Sequence, residues 1–186
     1  MKSDGRRVLL HICCAPDATA PWPALTGEGF EVHGFFYGDN IHPESEWRLR
    51  ADAVARLPEF LNGRLVARPY SPSLWFEKAS RLSDCPEGGE RCALCFGLQL
   101  TASAEYAAGN GFGYLCTTLT ISPHKDPDLI NDIGRVTSSR FGVEWISRVW
   151  RKGGGFKLSV ERSKAWGLYR QSYCGCEYSM RSARGR

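Results

Sequence analysis

An α/β fold built on an open, mainly parallel five-stranded sheet with helices on both faces is the architecture this sequence predicts. Three observations lead there. Five short apolar runs recur along the chain, segments with helical periodicity lie between them, and neither an internal repeat nor a low-complexity linker breaks the alternation. With 186 residues, 42% apolar and 24% charged, the chain suffices for one substantial core, and residues 1–186 read as one domain.

The first strand is the apolar run 8–12, which ends at Cys13-Cys14. A second run covers 32–37, and the helix after it places Trp47, Ala51, Val54 and Leu61 on one face. The third run is 65–70. Cys92-Ala93-Leu94-Cys95 then opens a helix that runs to about Ala107, followed by the fourth run, 114–119. Asp126-Pro127 is an N-cap with a first-turn proline, and Leu129, Ile130, Ile133 and Val136 form the expected buried stripe. The fifth run is 143–149. The glycine-rich segments 86–90 and 152–155 read as mobile loops.

Several function classes are excluded. No window approaches the roughly 18 uninterrupted apolar residues of a membrane span, and MKSDGRR runs into only the short stretch VLLHI. Neither a span nor a signal peptide is expected, no membrane partner is implied, and a cytoplasmic location follows. The net charge of +4 conceals an asymmetry: residues 135–186 hold 12 Lys and Arg against 3 Asp and Glu, while 1–134 hold 12 against 17. Trp145, Trp150, Phe156, Trp166, Tyr169 and Tyr173 interleave with the basic residues, and aromatics beside cations suit unpaired bases and phosphates. Arg148, Arg151, Lys152 and Lys157, around 153–155, are the candidate RNA contacts.

Six of the eight cysteines fall into three pairs. Cys13-Cys14 sits where the first strand gives way to a loop, at the strand end where open parallel sheets bind ligands, and Ala15-Pro16 supplies the bend that two adjacent thiols need to serve one site. Cys92 and Cys95 share one face of a first helical turn, where the helix dipole favours thiolates; zinc, iron-sulfur and dithiol chemistry all use this spacing. The four sulfurs together suit a tetrahedral zinc or a four-iron cluster. Cys174-Gly175-Cys176 can close a small strained disulfide, the mark of a reversible redox couple, or act as a further metal clip. Cys85 reads as a loop thiol and Cys116 as a core strand residue.

LLHICCAP, RCALC, TTLTISPHKD and LYRQSYCGC, in that order and at similar intervals, resemble the epoxyqueuosine reductase QueH family over nearly the whole chain. The resemblance implies a fold related to the adenine nucleotide alpha hydrolases (HUP-like). It implies a [4Fe-4S] cluster on Cys13, Cys14, Cys92 and Cys95, and a redox-active disulfide at Cys174 and Cys176. The implied reaction is cobalamin-independent reductive removal of the epoxide oxygen of epoxyqueuosine at the wobble position of tRNA, fed by an unidentified electron donor. One departure is CCAPD in place of the CCAPC of many members: Asp17 replaces a third cysteine, so an additional iron near the cluster would have a carboxylate ligand here.

The reaction consumes two electrons and two protons, so a dithiol is a sensible reservoir beside a one-electron cluster, and a proton donor is required. The candidates are Asp17, Asp39, His42 and His124, with Asp17 foremost because it follows Cys14 by three residues. An ATP-dependent sulfur transferase would need a glycine- and serine-rich phosphate loop where this chain has CCAPDAT. A zinc-stabilised, non-catalytic RNA-binding module is the competing reading, and it gives Cys174-Gly175-Cys176 no role.

Overall fold

The computed structural model describes residues 6–184, with side chains through Met180; the basic residues at 181, 184 and 186 lie outside the described side chains. In chain order the elements are β1 (Arg7–Ile12), α1 (Ala15–Ala18), α2 (Pro21–Gly27), β2 (Glu31–Phe36), α3 (Glu44–Ala55), β3 (Arg64–Ala67), α4 (Ser73–Ala79), α5 (Glu90–Gly109), β4 (Tyr114–Thr117), α6 (Pro127–Ser139), β5 (Glu144–Trp145), α7 (Gly155–Ala165) and α8 (Glu177–Arg184). The strands form one sheet in the order β3-β2-β1-β4-β5, and every pairing is parallel. This is the open α/β sheet the sequence predicts. No helix among the described residues is long and apolar enough to cross a membrane.

Central β1 is buried from Val8 to Ile12, as a parallel strand covered on both faces must be. Its side chains alternate between two cores. Val8, Leu10 and Ile12 pack with Trp22, Leu25, Val54 and Leu57 on one face; Leu9 packs with Ala104 and Ala107 of α5 on the other. The strand order reverses between β1 and β4. A crevice therefore opens beyond their carboxyl ends, and Cys13 stands there, its N–H donating to the Thr118 hydroxyl at 3.3 Å.

The strands are shorter than the apolar runs, for identifiable reasons. β3 ends after Ala67; Arg68 N–H still bonds the Phe36 carbonyl at 3.0 Å, but Pro69 has no N–H to continue. β4 stops at Thr117, whose hydroxyl accepts the Leu119 N–H at 3.1 Å and starts the 3-10 turn Leu119–Ile121. β5 keeps two residues, because the chain past Ile146 bonds that turn instead: Arg151 N–H reaches the Thr120 carbonyl at 3.3 Å.

Three expectations are corrected. Leu61 is not on α3; the helix ends at Ala55, and Leu61 follows the 3-10 turn Leu57–Glu59 while joining the same core. Val136 is not buried but 52% exposed. The inner face of α6 is instead Ile130, Asn131, Gly134, Thr137 and Ser138, because the Trp145 indole lies against Gly134, where a Cβ would come within 2.3 Å of the ring. The segment 152–155 is a 3-10 turn, Lys152–Gly154, that runs directly into α7 rather than an open loop.

The Asp126 cap is as expected, its carboxylate accepting from Asp128 N–H at 2.9 Å and Leu129 N–H at 3.3 Å. Gly134→Ala should therefore cost about 1–3 kcal/mol by overpacking against Trp145. Val136→Ala should stay within about 0.5 kcal/mol, as exposed sites do. Urea unfolding of both variants checks the assignment; a larger loss at position 136 than at 134 would contradict it.

Candidate active site

A cavity of about 50 Å³ lies beyond the carboxyl ends of β1 and β4. It is lined by Cys13, Cys92, Cys95, Cys174 and Cys176 from three distant parts of the chain. Each is delivered by local structure. Cys13 follows β1; Cys14, in extended conformation, leads into α1, whose Pro16 suits a first turn. Cys92 and Cys95 lie in the first turns of α5, and Cys174 and Cys176 precede α8.

The thiols are held individually. Cys13 Sγ donates to the Asp17 carboxylate at 3.2 Å, and Cys14 Sγ accepts from Gln171 Nε2 at 2.9 Å. Gly88 N–H donates to Cys92 Sγ at 3.2 Å. Cys95 Sγ accepts from the Trp75 indole at 3.3 Å and from Gln99 Nε2 at 3.2 Å. All eight cysteines are free thiols in this structure. Cys13, Cys14 and Asp17 present ligand atoms within 4.8 Å of one another.

Electrostatics distinguishes these thiols from an ordinary core. The Cys14 thiol, burial and the Asp17 carboxylate together push Cys13 well above the usual thiol range. Burial raises Cys95 and Cys174, and each also feels neighbouring sulfurs. Thiols that oppose one another's ionisation form a donor set that needs a cation to carry the thiolate form, and soft metal centres are such cations. The donor chemistry fits an iron-sulfur group: two thiol pairs, Cys13-Cys14 and Cys92/Cys95, at and beside one cavity.

The chain adds cations of its own to this lining, and Lys125 is one that the motif spacings did not single out. Lys125 lines the cavity; burial opposes its charge, but Cys174, Cys13, Asp17 and Cys14 outweigh burial and hold it protonated. Arg151 fixes this loop by donating to the carbonyls of Ser122 and Lys125 at 3.0 and 2.7 Å. Lys125 stands inside TTLTISPHKD, immediately before the Asp126 cap, which is the signal that marks it. Arg91 and Gln171, inside RCALC and LYRQSYCGC, also line the cavity, as do Asn40, Arg50 and Gln99, which lie outside the motifs.

The other proton-donor candidates stand apart from the cavity lining. Asp39 pairs with Arg68 at 3.3 Å and accepts the Ser71 N–H at 3.0 Å, with burial raising its carboxyl. His42 packs on Trp75 and Phe76, and burial lowers it to about 4, which keeps it neutral at neutral pH. His124 is exposed. Asp17 alone among the four touches a thiol that lines the cavity.

The basic segment is less open than its composition implies. Arg148 pairs with Glu28 at 3.0 Å, and Arg151 is engaged as described. Lys152 and Lys157 are exposed, the latter 3.9 Å from Glu161. Five of the six interleaved aromatics have internal partners: Trp145 with Asn131, Trp150 with the Thr117 carbonyl, Trp166 stacked on Phe60, Tyr169 with Glu46 and Tyr173 with the His42 carbonyl.

Cys116 is separate from the cavity lining; it is 1% exposed in the sheet core, with burial pushing it up to about 12. In metal-free protein, Cys116 should therefore resist alkylation between about pH 7 and pH 9, where its thiolate fraction stays small, while partly exposed Cys85 reacts. Peptide mass spectrometry after timed alkylation reads this directly, and early labelling of Cys116 would contradict the burial.

Comparison with known proteins places this geometry in a family. The model of a family described as "Epoxyqueuosine reductase QueH" matches residues 8–182. A protein of that name from Acinetobacter baylyi is 37% identical over 176 residues, covering 94% of this chain and 81% of the relative. One from Histophilus somni is 36% identical, covering 94% and 72%, and one from Thermotoga maritima is 34% identical, covering 93% and 90%. Among solved structures, a predicted subunit of tRNA methyltransferase from Methanocaldococcus jannaschii matches with TM-score 0.51 at 12% identity, over 84% of this chain and 74% of that one, a likeness of fold. With its model matched over residues 8–182 and relatives more than a third identical across most of their length, the chain belongs to the epoxyqueuosine reductase QueH family.

Proposed function

We propose that this protein reduces epoxyqueuosine to queuosine at the wobble position of tRNA, without cobalamin, with a [4Fe-4S] cluster on Cys13, Cys14, Cys92 and Cys95 and Cys174/Cys176 as a dithiol couple. Epoxyqueuosine reductase is the activity of its family. The observation that carries the finer reading is the single cavity shared by Cys13, Cys92, Cys95, Cys174 and Cys176. A donor set and a separate dithiol at one place match a reaction that needs both electron transfer and an electron-pair reservoir.

When bound, the cluster supplies one-electron transfer and a Lewis-acidic iron. The chain's own residues supply the rest. Trp75, Phe96 and Leu119 wall the cavity and limit water. Lys125, a positive charge in the cavity lining, would stabilise negative charge developing on the departing oxygen, and Asp17, 3.2 Å from Cys13 Sγ, would hold a proton or ligate an additional iron. Electrons return to the dithiol from a donor still to be identified. Exposed Lys152 and Lys157, together with Arg148 and Arg151, are the proposed grip on the phosphates flanking an opened anticodon loop.

The deciding experiment is anaerobic incubation of reconstituted protein with epoxyqueuosine-containing tRNA and a reductant, followed by nucleoside analysis; queuosine is the expected product. Single Ser variants of Cys13, Cys14, Cys92 and Cys95 should lose most of the iron, whereas Ser at Cys85 or Cys116 should retain it. Parental iron content in the four ligand variants, or zinc alone in an anaerobic preparation, would overturn the ligand set. Ser at Cys174 or Cys176 should keep the iron and abolish turnover, and loss of iron there would move these thiols into the metal site.

Charge-removing variants at Lys152 and Lys157 should each lower the salt dependence of tRNA binding by about 0.7–0.9 log unit per log unit of salt. Arg6 and Arg64 serve as controls. Equal losses in the controls would show that RNA docks elsewhere.

A further inference from the structure

We propose that Arg50, oriented by Glu46 and Tyr169, is a positioning residue that holds the Cys174-Gly175-Cys176 loop in its dithiol form and so sets how readily the pair releases two electrons. This rests on the reading of Cys174 and Cys176 as the redox couple.

The Arg50 side chain is 2% exposed, and its planar fork is used at three points. Nε pairs with Glu46 Oε1 at 2.7 Å, Nη1 donates to the Cys174 carbonyl at 2.9 Å, and Nη2 donates to the Tyr173 carbonyl at 3.0 Å. The other Glu46 oxygen accepts from the Tyr169 hydroxyl at 2.7 Å, so the carboxylate cannot turn away from the guanidinium. A lysine ammonium carries the same charge without the fork.

The neighbouring groups complete the hold. The Gly175 carbonyl accepts His42 N–H at 2.8 Å, and the Cys176 carbonyl accepts Ser179 N–H at 3.1 Å. Carbonyls 173 to 176 are therefore all engaged. Gly175 has φ +134, and a Cβ there would stand 3.1 Å from Arg50 Nη1, so the backbone lies directly on the guanidinium. Only glycine adopts that φ readily.

Oxidation must disturb this arrangement. Joining two sulfurs one residue apart closes a small ring and turns the intervening peptides away from relaxed geometry. Those are the peptides that Arg50 and His42 hold, and an undersatisfied buried guanidinium is costly. The hold thus favours the dithiol and makes its disulfide a stronger oxidant. The balance is simple: the two S–H groups give two electrons and two protons, one S–S bond forms, both C–O bonds of the epoxide break, and alkene and water result.

The test is the thiol–disulfide equilibrium of the cluster-loaded protein, poised anaerobically in dithiol/disulfide buffers, trapped by alkylation and read at Cys174 and Cys176 by peptide mass spectrometry. Arg50→Lys should favour the disulfide about tenfold, a lowering of the potential by about 30 mV, with iron content unchanged. Tyr169→Phe, which removes one hydroxyl and leaves the ion pair, should shift the equilibrium the same way by about threefold, the scale of one hydrogen bond. It carries the test if the lysine variant does not fold. An unchanged equilibrium in a folded variant, or a shift toward the dithiol, would overturn the proposal. Absence of any reversible Cys174–Cys176 oxidation in the parent protein would instead overturn the redox reading, and the hold with it.

Discussion

Five thiols cannot share one small, half-enclosed cavity as anions without a compensating positive charge. That constraint organises the site. Burial and mutual repulsion keep Cys13, Cys95 and Cys174 above the ordinary thiol range, and Lys125 is a cation set among them, with Arg50 and Arg91 also in the lining. The contrast with Cys116 is instructive. It is raised chiefly by burial, with no other thiol contributing, sits in the sheet core and donates to the Ile146 carbonyl at 3.4 Å, as a packing residue does. Cys13, Cys92, Cys95 and Cys174 carry the same sign of shift, but they owe part of it to neighbouring thiols, and such sets are relieved by a metal.

The fold meets the constraint by bringing together residues separated by most of the chain. Because β1 lies between β2 and β4, the first cysteine pair emerges where the strand order reverses. The start of α5 brings the second pair. The third, far along the chain, is anchored by a buried cation: Arg50 sits between Glu46 and the carbonyls of Tyr173 and Cys174. Removing one partner of such a pair costs about 3–5 kcal/mol, since it strands a charge in the interior. The C-terminal segment is thus tied to α3 by a contact that can be neither lost nor slackened cheaply.

Much of this was legible in the sequence. The alternation of apolar runs and helical segments gave the parallel sheet, and the three cysteine spacings marked the groups that the cavity joins. Periodicity states that a helix has two faces but not which one packs, so Val136 was assigned inward; Gly134 under the Trp145 ring decides the matter, and no spacing announces a contact between a glycine and an indole on another element eleven residues away. Arg50 had no visible role, and Gln171 stood inside LYRQSYCGC without one, for a related reason. Each is a single polar residue whose role comes from a partner far away in sequence, as in the 157-residue separation of Gln171 and Cys14. Charge counting likewise could not reveal that Arg148 and Arg151 already have internal partners.

The central claim is that the electron pair consumed in the reaction comes from Cys174 and Cys176, next to a cluster held by the other four thiols. It is tested most directly by a single turnover: cluster-loaded protein, fully reduced and then freed of reductant, mixed anaerobically with epoxyqueuosine-containing tRNA, quenched in acid and alkylated. The account predicts one queuosine formed for each pair of thiols lost, with the loss confined to Cys174 and Cys176. Queuosine formed with both of these thiols still free would contradict it.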